Sequence, residues 1–396
     1  MLISTELRAA LTAATDDEIL FDLAAIDRGL ARLARELPAT QVRFAVKACP
    51  VDEVLAVLAR GGTGFDAASP HEIAQALRAG GPAHLVHYGN TVKSDQDIAA
   101  AHLMGIREFA TDSVPDVRAI AAHAPGARVF CRLVTTGEGA LWPLSRKHGC
   151  SVRDAVTVLE TARAHGLTPA GLSLHVGSQQ MDPAAWRSAF STLTAAVGAL
   201  RLHGIHPDHV NLGGGLPALG YHDRQGNPLR PGMDRIFAEI REGIRRLRRT
   251  SARPLRIVLE PGRHLVADHG AIRARVVRLT ERRQHDGRPQ RWLYLSCGRF
   301  NGLYEMDQVQ YPLVFPTHPG GPTVPAVIAG PTCDSDDAYA AEHPVPVPAA
   351  VQSGDPVWIL AAGAYSVSYL TSGFNGFPPL PHRALYGAVL DEAGSR

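Results

Sequence analysis

Eight short apolar segments, each followed by a stretch with helical spacing, recur from about residue 40 to residue 262 and constrain the fold more than any other feature. The expected strands are Val42–Val46, Gly64–Asp66, Leu85–Tyr88, Glu108–Thr111, Arg128–Val134, Gly171–His175, His209–Leu212 and Arg256–Glu260. Between them, VDEVLAVLARGG, PHEIAQALRAGG and MDRIFAEIREGIRRLRR place apolar residues on one helical face, and the first two stop at glycine. Eight such units predict an α/β fold, a (β/α)₈ TIM barrel. An open doubly wound sheet competes, but eight units in series favour closure.

Past residue 265 the helical spacing fades. The runs AIRARVVRL, RWLYLS, PAVIAG and PVWILA, punctuated by FPTHPGGPTVP, predict a mostly β domain. The expected division is residues 1–22 packing with the β domain, 23–265 as the barrel, and 266–396 as the β domain.

Composition excludes several function classes. Forty basic and 38 acidic residues leave a formal charge of +2, too little to attract nucleic acid or a membrane surface. The one basic run, Arg241 to Arg249, ends a predicted helix, where cations suit the negative end of the dipole. No stretch approaches the roughly 20 apolar residues of a membrane span, and the N-terminus lacks a signal-peptide core. Five scattered cysteines without a CxxC pair argue against a disulfide framework or a structural zinc site. A cytoplasmic protein that binds neither nucleic acid nor membrane, with no metal, is expected.

Barrels gather chemistry at the C-terminal ends of their strands. There this sequence places Lys47, Asp66, Arg132, His175, the triplet Gly213-Gly214-Gly215, and Glu260-Pro261-Gly262-Arg263. A lysine after FAVK ordinarily marks a strand's exit into solvent. Pointing into the barrel mouth, its amine is desolvated and becomes a nucleophile. Three glycines after a strand are ordinarily a turn, but they also let backbone N–H groups approach an anion, with Arg263 as a nearby cation. Glu260 reads either as an ion-pair partner of Arg263 or as a partner for a protonated ring nitrogen. His175 reads as a core histidine or as a flat ring for stacking. Cys333, in GPTCDSDD, has three acids beside it, which suits a protonated donor better than a resting thiolate.

FAVKACP, GTGFDAASPHEI, YGNTVKSDQDI, WPLSRKHG, HVGSQQMDPAAW, NLGGGLP, EPGRHLV, GPTCDSDD and GAYSVSYLTSGFNGFPP occur in order over nearly the whole chain. In these segments the sequence resembles the fold-type III pyridoxal-phosphate decarboxylases of ornithine, lysine, arginine and diaminopimelate. GPTCD is similar to the ornithine decarboxylase branch. The resemblance implies removal of the α-carboxylate of a basic or diamino acid by a homodimer whose active sites are shared across the interface. Lys47 would hold pyridoxal 5'-phosphate as a Schiff base, His175 would stack on its ring, and Glu260 would pair with its nitrogen. Ser178, Gly214, Gly215, Arg263 and Tyr365 would bind the phosphate, while Asp66 and Arg132 would shape the surroundings. Cys333, as proton donor, and Asp334, toward the substrate's distal group, would come from the partner subunit, with Phe374 lining the same pocket. The resemblance also implies an aspartate near Ser296 and Cys297, absent here; Glu305 and Asp307 are the candidates to compensate, or the substrate is a modified or conjugated diamino acid. An alanine-racemase-like activity calls for a tyrosine in place of Cys333, and a non-catalytic regulator has no need of Lys47, Glu260, Arg263, Cys333 and Tyr365 together.

Overall fold

A computed structural model describes residues 3–38 and 40–386. Residues 387–396, placed in the β domain by the sequence reading, lie outside the described residues. The chain divides into two compact units, one of residues 29–217 and 231–262 and the other of residues 3–28, 218–230 and 263–386.

The first unit is a closed parallel barrel of β1 (Thr40–Ala45), β2 (Gly64–Ala67), β3 (Val86–Tyr88), β4 (Glu108–Thr111), β5 (Arg128–Arg132), β6 (Thr168–Ser173), β7 (His209–Asn211) and β8 (Arg256–Leu259). All eight expected strands are present; Glu108–Thr111 has the expected ends, and the others differ by at most three residues at either end. β1 stops at Ala45, so Lys47 sits in a 3-10 turn, Val46–Ala48, rather than at the end of the strand itself. The outer layer forms because the helices carry apolar stripes. Helix Met233–Thr250 buries Ile236, Phe237, Ile240, Ile244 and Leu247, while Arg245 and Arg246 on its other face pair with Glu242. The arginine run is thus the solvated face of a helix. Serine caps recur where the loops enter helices: Ser69, Ser94 and Ser151 each accept a backbone N–H, a contact typically worth about 1 kcal/mol.

The barrel interior departs from the usual apolar layers. Arg43 of β1 pairs with Glu108 of β4 at 2.6 Å. Two strands lie between β1 and β4, so this contact runs through the interior. Arg128 and Arg256 reach the same glutamate, and their neighbour Asp208 is pushed down to about 2. Burial opposes that shift, and hydrogen bonds from His209 and Arg128 outweigh it.

In the second unit the 14-residue strand Gly270–Arg283 pairs antiparallel with Pro289–Leu295, with Pro356–Ile359, and with the N-terminal strand Glu18–Asp22. The N-terminal helix Thr5–Ala13, capped by Ser4, buries Leu7 and Leu11 against Leu20, Ala271, Trp358 and Leu360. Each buried leucine contributes about 1.5–3 kcal/mol, which ties the start of the chain to the β sheet. No described helix is long and apolar enough to cross a membrane.

Candidate active site

At the C-terminal end of the barrel, Lys47 Nζ donates to Asp66 Oδ2 at 2.7 Å. The register makes this pairing local, since Ala45 lies opposite Asp66 on the neighbouring strand. The expected desolvation of the amine is not what the structure shows. The lysine side chain is 47% exposed and is held instead by a carboxylate that is 4% exposed. Burial works to raise the Asp66 carboxyl, but Lys47 and His87 overcome it and keep the group ionised well below the usual carboxylate range. Gly89 makes room for it, because a Cβ there would lie 1.8 Å from Asp66 Oδ1.

His87, which the reading of strand ends missed, sits between the two acids. Its Nε2 lies 3.2 Å from Asp66 Oδ1 and 2.8 Å from Glu260 Oε1. Glu260 Oε1 also accepts from Asn211 Nδ2 at 2.5 Å, and Asn211 Oδ1 accepts from the Gly213 N–H at 2.8 Å. A single chain of hydrogen bonds therefore connects the acid after β8, the asparagine at the end of β7 and the glycine turn. Glu260 Oε2 makes no hydrogen bond to a described residue.

The glycine turn is tightly enclosed. Gly213 and Gly215 have φ of +64° and +113°, and a Cβ on Gly214 would lie 2.9 Å from both the Glu260 carbonyl and His175 Nε2. Among the described residues, the Gly214 and Gly215 N–H groups donate to no protein acceptor. Successive undonated amides at such a turn are an anion cradle. Ser178 opens a short strand, Ser178–Gln180, next to buried Gln179, a non-glycine residue at φ +53°. Left-handed backbone of this kind is characteristic of functional sites.

His175 Nδ1 accepts from the Gly177 N–H at 3.0 Å, which leaves its proton on Nε2. Burial, with the cations Arg132 and Lys47 adding to it, pushes the ring down to about 3. A neutral, flat imidazole suits stacking. An unfolded histidine titrates near 6.5, so the folded state loses stability as pH falls from about 6.5 toward about 3. At pH 5 this single ring costs about 2 kcal/mol. His175→Asn, which keeps an acceptor for Gly177, is expected to flatten that part of the stability–pH curve in urea unfolding. An unchanged slope would show that the ring is not held neutral.

The remaining predicted residues belong to the β unit. Arg263 is buried and makes a two-pronged pair with Glu305, at 2.5 and 2.6 Å, and also reaches the Tyr221 hydroxyl. Its guanidinium lies 4.7 Å from the Tyr365 ring centroid. Tyr365 is another non-glycine residue in the left-handed region, at φ +61°. Glu305 is buried in its pair with Arg263, so the expectation that it compensates for the missing aspartate is corrected: its charge is already matched. Cys297 is fully buried, and burial raises its thiol. Asp307 is exposed.

Cys333 is exposed, and its loop is built by Asp337. That buried carboxylate accepts from the Thr332 amide and hydroxyl and from the Arg299 amide. The Cys333 amide donates to Asn375 Oδ1, beside Phe374, whose ring lies 4.6 Å from Phe300. Asp334 Oδ1 accepts from the Asp336 amide.

Residues 23–267 match the family model for the pyridoxal-binding domain of pyridoxal-dependent decarboxylases. The chain belongs to that family. It is 30% identical to the ornithine decarboxylase of Schizosaccharomyces pombe, covering 93% of this chain and 84% of the relative. It is 29% identical to the lysine/ornithine decarboxylase of Selenomonas ruminantium, over 87% of this chain and 83% of the relative. The crystal structure of the Vibrio vulnificus lysine/ornithine decarboxylase with putrescine superposes with a TM-score of 0.82 at 28% identity, covering 97% and 99% of the two chains. This decarboxylase therefore shares both its domain types with enzymes that remove carboxylates from amino acids, and its barrel-and-β-sheet architecture is the fold-type III one.

Proposed function

We propose that this decarboxylase uses pyridoxal phosphate to remove the α-carboxylate of a basic or diamino acid, ornithine- or lysine-like or a conjugated diamino acid, giving an amine and CO₂. The observation that carries the proposal is the amine of Lys47 held on Asp66, next to an acid, Glu260, whose Oε2 makes no hydrogen bond to a described residue.

Bound pyridoxal phosphate supplies a ring that takes up the electron pair left when CO₂ departs. Each residue's contribution is a proposal that rests on its position and on motif resemblance. Lys47 would hold the cofactor by condensation of its amine with the aldehyde, releasing water, and Asp66 would keep that amine in place. Glu260 would hold a proton at the cofactor's ring nitrogen, and neutral His175 would offer a flat surface for its ring. Gly214, Gly215 and Ser178 receive the phosphate; Arg263 and Tyr365 are assigned the same role by their motifs, and Arg132 adds positive charge. Cys333 returns a proton to Cα after CO₂ leaves. Its exposed thiol, together with Asp334 and Phe374, is assigned by motif resemblance to a neighbouring subunit's site, so the proposed working form is a homodimer; the proposed compartment is the cytoplasm.

The test is a screen of ornithine, lysine, arginine, 2,4-diaminobutyrate and diaminopimelate for CO₂ release with added pyridoxal phosphate. Release from at least one of them is expected. No release from any of the five would overturn the ornithine- or lysine-like reading, and racemisation of alanine in place of release would overturn the decarboxylase assignment.

A further inference from the structure

The barrel interior contains a feature that the proposed chemistry does not use. Arg43, fully buried on β1, lies with Nη1 2.6 Å from His87 Nδ1 and 2.6 Å from Glu108 Oε2. Its Nε and Nη2 meet no acceptor among the described residues, a cost that a well-packed apolar side chain would avoid. A guanidinium can only donate. His87 Nδ1 is therefore an acceptor, and the one ring proton sits on Nε2, facing Asp66 and Glu260.

We infer that His87, with its tautomer fixed by Arg43, is a positioning residue for Glu260, its single Nε2–H tethering the Glu260 and Asp66 carboxylates side by side. The inference rests on the reading above, in which Glu260 serves the cofactor's ring nitrogen. The ligand atoms of Asp66, His87 and Glu260 all lie within 4.8 Å of one another, so the two like charges share a small space. The N–H between them is the donor common to both. Without it, repulsion favours a proton on one of the carboxylates, and a protonated Glu260 no longer supports a positive ring nitrogen.

The groups facing His87 are few. They are Arg43 from β1, Asp66 from β2 and Glu260 after β8, with Lys47 beyond Asp66 and Glu108 beyond Arg43. Phe130 of β5 packs on its ring at 5.1 Å and carries no charge. Asn211, the other donor to Glu260 Oε1, is neutral and makes no hydrogen bond to Asp66 among the described residues, so it does not link the acids.

The experiment compares His87→Leu with His87→Gln. Leucine fills the space without a donor. Glutamine restores an N–H toward the acids and a carbonyl for Arg43. Each holoenzyme is titrated from pH 5.5 to 9 by the visible absorbance of bound pyridoxal phosphate and by kcat/KM. His87→Leu is expected to move the acid limb of both profiles at least about tenfold in proton concentration, and His87→Gln to return it to within about twofold of wild type. A His87→Leu variant that binds cofactor and titrates like wild type overturns the inference. Should His87→Leu not fold, nitrogen-15 spectra of histidine-labelled wild type decide the question: an unprotonated Nδ1 at pH 7 supports the tether, and a doubly protonated ring there overturns it. Failure of the underlying reading looks different, because wild type would then give no Lys47-dependent absorbance with pyridoxal phosphate, while the nitrogen spectrum would still report the His87 tautomer.

Discussion

Replacing Lys47 with alanine is expected to reduce decarboxylation by at least about 10³-fold and to remove the visible absorbance of the bound cofactor, because the chain then lacks its covalent attachment point. The companion substitution Lys47→Arg separates chemistry from electrostatics. Arginine keeps a positive charge for Asp66, which among the described residues would otherwise retain only His87 as a side-chain partner, yet its guanidinium does not condense with an aldehyde at neutral pH. Both variants are therefore expected to be inactive, while Lys47→Arg melts closer to wild type than Lys47→Ala does. Activity above about a tenth of wild type in either variant would remove Lys47 from its assigned role.

Cys333→Ala is expected to slow turnover by roughly 10²-fold, within the usual range for loss of a positioned proton donor. Product analysis is the more telling readout. With the thiol gone, a share of turnovers should end in abortive transamination, seen as progressive loss of the visible band during catalysis. Cys333→Ser is expected to fall between alanine and wild type. The proposed assignment of Lys47 and Cys333 to different subunits has its own consequence. Mixing inactive Lys47→Ala and Cys333→Ala chains under exchange conditions should restore up to about a quarter of wild-type activity, since half the dimers are mixed and each of those has one intact site. No recovery, with exchange verified by mass, would place both groups in the same chain's site.

The barrel was legible in the sequence because parallel strands buried on both faces read as short apolar runs, and the helices between them carry clear apolar stripes. The strand ends were legible as well: Lys47, Asp66 and Glu260 follow apolar runs, and the structure brings them to one place. What stayed hidden was the polar interior. Arg43 and His87 lie mid-strand, where alternation along one strand does not say which side chain meets which across a barrel. A charged residue inside an apolar strand was the available signal, and it went unread. The partner of Glu305, one of the two candidates to compensate for the missing aspartate, was hidden for a related reason. The pairing of Glu305 with Arg263 joins residues 42 apart in sequence, and no local pattern encodes that contact.

The most direct measurement of the central claim is borohydride reduction of the protein loaded with pyridoxal phosphate, followed by peptide mass mapping. The chain has only three lysines, Lys47, Lys93 and Lys147. Lys93 is buried on Asp116 and two backbone carbonyls, and Lys147 is exposed. A phosphopyridoxyl group fixed stoichiometrically to Lys47, and lost in Lys47→Arg, is the predicted result. An adduct on Lys147 or on Lys93 in place of Lys47, or no adduct at saturating cofactor, would contradict the account.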